Sequence, residues 1–292
     1  MFAVDLDGTS LSNGVAFTSG WPVDLALLKG RSDSSNGWFA HSRLQGAGKY
    51  LQPNDALAEA GGVLNGTFDH MDGWFKATLA NFSSWMFRRA PGFFDVVAYT
   101  GDDVNPRTIS HNLGAVPEML IFKCRNVDVD WKVHLPGALG NFDLSLNKSN
   151  AKGSNSVIGN LTNTTFTISS GSALYNDTSD TYIAYLFATL AGISKVGSYT
   201  GNGSSQTINC GFTTGARFIL IKRTDSTGDW YVWDTARGVV AGNDPHLSLN
   251  TTAAEVTSDD SIDPDNSGFI VNQVSATNIN VSSASYIFYA IA

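Results

Sequence analysis

The chain has 292 residues, a formal net charge of −8, and only 15% charged residues, with 29 glycines and two cysteines. The acidic balance disfavours nucleic acid, whose phosphates need clustered lysine and arginine. No run of 18 apolar residues offers a membrane-spanning helix, no cationic stretch before an apolar one marks a secretory leader, and Cys124 and Cys210 are too few to frame a disulfide scaffold.

Read in chain order, the elements repeat. An opening strand runs through Asp5 into a turn at Gly8. An apolar run from Asp24 to Lys29 follows, then Trp38, then a short segment ending at Asn54, then a closing aromatic strand from Phe82 to Arg88. The second pass gives Ala98 to Gly101, Glu118 to Lys123, Trp131, Asn147 and Tyr182 to Ala188. The third gives Ser198 to Gly201, Arg217 to Lys222, Trp230, Asn250 and Tyr286 to Ala292. Self-similarity at a period of about 100 residues marks tandem modules. Breaks at Pro91-Gly92 and near Ser194 divide the chain into 1–91, 92–194 and 195–292, the first being the most divergent. A module of this size can enclose its own core. The joints are short and uncharged, so neighbouring modules should pack together.

Within the second module, short apolar or alternating segments broken by Gly, Asn, Asp and Ser predict strands near 95–100, 106–111, 118–124, 129–134, 141–146, 156–160, 164–169 and 181–188. The consecutive apolar residues of the Leu120 to Phe122 and Tyr185 to Phe187 runs predict strands buried on both faces. Asp55 to Ala60, with its counterpart Thr251 to Val256, has the composition for one or two helical turns. Gly201, Asn202 and Gly203 predict a tight hairpin between Tyr199 and Gln206, because Asn and Gly accept positive φ. The expected fold class is all-β: three tandem antiparallel β-sandwich, jelly-roll-like domains.

Chemical motifs dissolve against the repeat. Phe2 to Thr9 has the Asp-x-Asp-Gly-Thr pattern of haloacid-dehalogenase-type phosphatases. The repeat aligns Asp5 with Ala98 and Ser198, and Asp7 with Thr100 and Thr200, so the position reads as a strand entering a glycine turn, and the required alternation of helices and strands is missing. Asp263 to Gly268 resembles the first half of a calcium loop, but Val274 stands where the loop needs a bidentate Glu; a polar turn into the strand at Phe269 is the better reading. His41 and His134 share a repeat position with Trp233, which suits packing better than catalysis. No Cys/His cluster has zinc spacing, no Gly-x-Ser-x-Gly elbow is present, and no cofactor is implied. The recurring Trp38, Trp131 and Trp230 read as core. Aromatic residues outside the repeat pattern, namely Trp21, Trp74 and Tyr175, are the surface binding candidates, since aromatic platforms beside Asn, Asp and Gln can hold sugars.

The third module, through Tyr199 to Ser205, Arg217 to Arg223, Asp229-Trp230, Asp234 to Gly238, Leu247 to Ala254, Ser267 to Phe269 and Tyr286 to Ala292, resembles a repeat of tailed-bacteriophage structural proteins, namely tail fibres and other tail-tip proteins. The second module shares most of this, including Ser110 to Leu113, and the first keeps Asp24 to Lys29, Gly46 to Leu51 and the closing strand. The resemblance implies a virion protein of the tail, active in host attachment and not an enzyme. Its expected partners are other virion proteins and a host-surface glycan or protein, with homo-oligomerisation as a trimer; it carries over no active-site residue. Two alternatives are a head decoration, cement or connector protein, and an enzyme acting on surface polysaccharide. The latter needs paired carboxylates roughly 5–10 Å apart.

Overall fold

A computed structural model describes residues 1–6, 16–32, 34–62, 66–75, 81–136, 142–154 and 157–292. Among these the chain is all-β, with several antiparallel sheets, one 3-10 turn at Arg43–Gln45 and no α-helix. The first module holds β1 (Phe2–Leu6), β2 (Phe17–Thr18), β3 (Leu25–Gly30), β4 (Phe39–Ser42), β5 (Lys49–Tyr50), β6 (Ala60–Gly61), β7 (Gly73–Trp74) and β8 (Phe82–Phe87). The second holds β9 (Phe94–Thr100), β10 (Arg107–Ser110), β11 (Met119–Cys124), β12 (Lys132–Leu135), β13 (Phe142–Ser145), β14 (Gly153–Ser154), β15 (Ile158–Gly159), β16 (Thr165–Ile168) and β17 (Thr181–Phe187). The third holds β18 (Ser194–Thr200), β19 (Gln206–Asn209), β20 (Phe218–Arg223), β21 (Trp230–Asp234), β22 (Leu247–Ser248), β23 (Ile262–Asp265), β24 (Gly268–Val271) and β25 (Ser285–Ile291). Each of the eight strands expected in the second module is present, and β14 is added.

Every module builds one large sheet on the same plan, with the closing strand between the opening strand and the apolar run. The orders are β1-β8-β3-β4, β9-β17-β11-β12-β13-β14 and β18-β25-β20-β21-β22. Small sheets lie apart from these: β10-β16-β15 in the second module, β19-β24-β23 in the third, and the pairs β2-β7 and β5-β6 in the first.

The period-2 alternation of each apolar strand then does two jobs at once. Leu25, Met119, Ile121, Phe218 and Leu220 face one shared cluster that also takes in Trp38, Trp85, Trp131, Tyr185, Trp230 and Tyr289. Their neighbours Ala26, Leu28, Leu120, Phe122, Ile219 and Ile221 face three separate clusters, one per module. In the second and third modules those outer clusters include residues of the small sheets, such as Phe166 and Phe269. This is why the apolar runs show no polar gaps: both faces are buried. Each module therefore keeps a private outer cluster, but its inner face is not covered by the module itself. The inner faces meet in a common core, tightened by aromatic contacts across modules such as Phe2–Phe218 (5.0 Å), Phe187–Tyr289 (5.0 Å) and Phe87–Phe187 (6.1 Å). An apolar cavity of about 50 Å³, lined from all three modules, remains inside.

Three local expectations need correction. Asp55 to Ala60 and Thr251 to Val256 form no helix; they are extended straps whose backbone groups bond to the next module, so tertiary contacts outweigh local propensity. Gly201 to Gly203 is not a hairpin, because β18 pairs with β25 while β19 pairs with β24. The segment is a corner between two sheets. Gly201 is required there because a Cβ would collide with the Val281 carbonyl oxygen, as one at Gly101 would with that of Asp177. Finally, the opening strands align one residue away from the sequence expectation. Asp5 lies opposite Ser84, Val97 opposite Ala184 and Gly197 opposite Phe288, so Asp5 matches Val97 and Gly197.

Six inner residues of the third module, Phe218, Leu220, Val232, Ile287, Tyr289 and Ile291, are at most 6% exposed. Full burial of a large apolar side chain contributes about 1.5–3 kcal/mol, so uncovering even half of this stripe costs as much as the whole net stability of a small domain, about 5–15 kcal/mol. The intact chain should accordingly melt in a single calorimetric transition with equal calorimetric and van't Hoff enthalpies, and a 195–292 fragment should lack cooperative melting. Three resolved transitions in the intact chain would contradict the shared core.

Candidate functional site at the module junctions

The residues that recur in the sequence converge where one module meets the next. Trp38 donates its indole N–H to the Ser248 carbonyl (2.9 Å), Trp131 to that of Gln52 (2.9 Å) and Trp230 to that of Ser145 (3.0 Å). The first module thus bonds to the third, the second to the first and the third to the second, so the three modules close a ring. Each shared asparagine holds its own tryptophan: Asn54, Asn147 and Asn250 accept the backbone N–H of Trp38, Trp131 and Trp230 at 2.6, 3.1 and 2.8 Å.

The recurring lysines follow the same circuit. Lys29 reaches the Thr252 carbonyl (3.2 Å), Lys123 that of Ala56 (3.0 Å) and Lys222 that of Ser149 (3.0 Å). All three side chains are wholly buried. Within its own module each also donates to two backbone carbonyls: Lys29 to Gly30 and Asn36, Lys123 to Val127 and Val129, Lys222 to Arg223 and Gly228. Three carbonyls match the three N–H groups of one ammonium. Backbone bonds complete the joint, from Glu59 N to Arg125 O (2.6 Å), Lys152 N to Thr224 O (2.9 Å) and Glu255 N to Arg31 O (2.8 Å). The signal for this lysine lay in the sequence as a charged residue in register at the end of three apolar runs, on the inward parity.

Charged side chains reinforce two junctions. Arg125 pairs with Glu59 of the first module at 2.8 Å. Arg237 bonds Asp234 (2.6 Å) and Glu255 (3.1 Å), while Trp85 of the first module donates to Asp234 (2.8 Å). The Arg237 guanidinium also lies 5.2 Å from the centre of the Trp85 ring. Asp234 and the Arg237 side chain are essentially unexposed, so the carboxylate and guanidinium are satisfied by one another and are closed to any substrate.

Sequence candidates for binding fare differently. Trp74 is buried, stacks on Phe17 and Phe68, and donates to Ser84 Oγ (3.0 Å). Tyr175 is buried edge-on against Phe122. Neither is a surface platform; both fill the outer clusters of their modules. Trp21 is half-buried at the rim of the first module's cluster. Asp5 sits on β1, an edge strand of an antiparallel sheet, and accepts the Thr18 N–H at 2.6 Å; Asp7 lies outside the described residues. His41 packs on Trp74, and Trp233 packs on His246, as side chains of a packing site do. Asp265 and Gly268 face each other across the two-residue turn of the β23–β24 hairpin, with Asp265 accepting from Ser267. The polar-turn reading of that stretch holds. Among the described residues, no group of three or more His, Cys, Asp or Glu is placed to hold a metal ion.

An open groove of about 920 Å³ lies between the second and third modules. Its walls are the edge strands β18 and β19, with Val116, Pro117 and Pro136 across from them. A family described as a domain of unknown function (DUF7483) matches residues 76–292, which spans the second and third modules and the closing strand of the first. No curated protein and no solved structure matches the chain.

Replacing Lys222 by Met takes the ammonium from the Arg223 and Gly228 carbonyls, while Ser149 O keeps the Gly228 N–H (2.9 Å); at about 1–3 kcal/mol for each carbonyl left unpaired, urea unfolding should show a loss of about 2 kcal/mol or more. The lysines also give a pH signature. Desolvation pushes Lys123 and Lys222 down to about 8, against the partial counterweight of nearby aspartates. The folded value is then below the unfolded one, about 10.4. Between the two, the unfolded chain keeps protons that the folded chain has released, so linkage makes stability rise with pH across that window. NMR titration should find two lysine side chains with midpoints near 8, with the unfolding free energy climbing from pH 8 towards 10.

Proposed function

We propose that this chain, which belongs to the DUF7483 family, is a structural component of a tailed-phage virion, placed in the tail fibre or tail tip and engaged in host attachment. Its modules are read as two-layered antiparallel sandwiches, each pairing a large sheet with small ones. The observation that supports a scaffold over an enzyme is the fate of the repeated polar residues. The Lys and Trp of every module are consumed in fastening it to the preceding one around the ring, and the Asn in holding its own Trp, so the residues that recur serve the joints between modules. The tail assignment draws on the resemblance of the strand-and-turn pattern to tail-fibre repeats. Attachment through shallow sites gains strength by multiplying copies, and a low-charge surface limits nonspecific adhesion. Other virion proteins, a host-surface glycan or protein, and copies of the same chain as a trimer are the partners this reading names.

Antibody labelling of intact particles tests the assignment. The expected result is label at the tail fibre or tip, together with binding of the purified chain to host cells. Label over the capsid with no cell binding would replace the reading with a decoration or cement role. Release of sugar fragments from host polysaccharide would replace it with an enzyme.

A further inference from the structure

The groove between the second and third modules is walled by main-chain groups that lack partners. Ser194 exchanges backbone bonds with Leu190 and so turns away from β25. By the two-residue period of a strand, Val196, Ser198 and Thr200 also point away from the sheet. The Val196 N–H finds Thr189 Oγ1 (3.2 Å) and the Thr200 carbonyl takes the Gln206 side chain (3.1 Å). Among the described residues, the Val196 carbonyl, both groups of Ser198 and the Thr200 N–H have no protein partner. On the neighbouring strand β19, Cys210 N bonds Ser267 O towards β24 (2.8 Å), which leaves Thr207 and Asn209 directed outward. Two consecutive edge strands therefore present donors and acceptors to the same groove.

The pseudo-equivalent places in the ring are occupied or smaller. At the first junction Asp24 pairs with Arg43 (3.4 Å) and Arg89 (3.3 Å), and the cavity there is about 330 Å³. At the junction of third and first modules, Arg217 bonds the carbonyls of Phe2 (2.9 Å) and Ala292 (2.7 Å). In the matching position Glu118 accepts the Thr189 N–H (2.5 Å), as Asp24 accepts that of Arg89 (2.8 Å), but it makes no ion pair among the described residues.

We infer that the β18 edge is a docking site for one extended peptide segment of a different protein, which adds a strand alongside Val196 to Thr200. Unpaired edge groups are the demand that strand addition meets. The groove volume, near the top of the usual range of about 300–1,000 Å³ for ligand pockets, suits a single strand. Val116, Pro117 and Pro136 line the groove beside the edge, which favours a single extended segment over a second folded copy. The groove carries one charge of each sign, from Glu118 and Lys195, so an uncharged segment with alternate apolar side chains fits best. This inference stands apart from the virion reading: it specifies a surface and a partner chemistry whatever assembly holds the chain.

The test uses the full chain and an acetylated nine-residue peptide of alternating Thr and Val, followed by amide NMR. The expected outcome is saturable shifts at Ser198 and Thr200, with exchange of the Ser198 amide slowed by about tenfold or more. The β9 edge should stay unaffected. Ser198→Pro removes an outward N–H that the native ladder does not use, and Val116→Arg fills the groove from an exposed position (50% exposed); both should keep the native melting temperature and lose the response. If Ser198→Pro misfolds, Val116→Arg decides alone. Silence at millimolar peptide, or shifts that persist in Val116→Arg, would overturn the proposal. Self-association that Ser198→Pro abolishes would overturn it in favour of copy-to-copy pairing.

Discussion

Three sheets with apolar inner faces have to be covered, and each is covered by the other two. That requirement governs the architecture. A lone large sheet with Phe218, Leu220, Tyr289 and their neighbours turned to water would lose more than hydrogen bonding in its ladder returns, since the net gain per bond is about 1 kcal/mol. Closing the inner faces on one another solves the problem without a helix layer. It also makes the junctions, not the joints along the chain, the seat of stability. Pro91-Gly92 and Gly192 merely carry the backbone from one large sheet to the next.

Much of this was legible in the sequence because the elements are repeated. The strand positions, the doubly buried apolar runs and the polar turn at Asp265 all followed from patterns of two-residue period and turn chemistry. Gly201 of the third opening turn was legible as a constraint but misread in kind: hairpins and close-packed corners both demand glycine, and only the partner of the following strand separates them. The straps at Asp55 to Ala60 and Thr251 to Val256 misled for a related reason. Their helical composition is real, but their amides and carbonyls are claimed by residues some 65 or more positions away, such as Arg125 and Lys123.

The binding candidates show the converse limit. Trp74 and Tyr175 were singled out because they break the repeat, yet breaking a repeat does not imply exposure. Each module fills its outer cluster with its own large side chains, and the first has the pairs β2-β7 and β5-β6 where the second and third each have a three-stranded small sheet. Divergence there is a packing solution. The residues that the pattern did repeat, by contrast, were legible as structural, and the lysines among them turned out to be buried fasteners whose partners no local window could contain.

The fastening is one-sided in its chemistry. For the recurring fasteners the donors are specified side chains, an indole and an ammonium, while their acceptors across the junction are main-chain oxygens: Ser248, Gln52 and Ser145 for the indoles, Thr252, Ala56 and Ser149 for the ammoniums. The socket makes no demand on side-chain identity, and the three copies within this one chain already differ at those places. A surface built over such sockets is free to change its outward character, residue by residue, while the grip beneath it keeps the same strength.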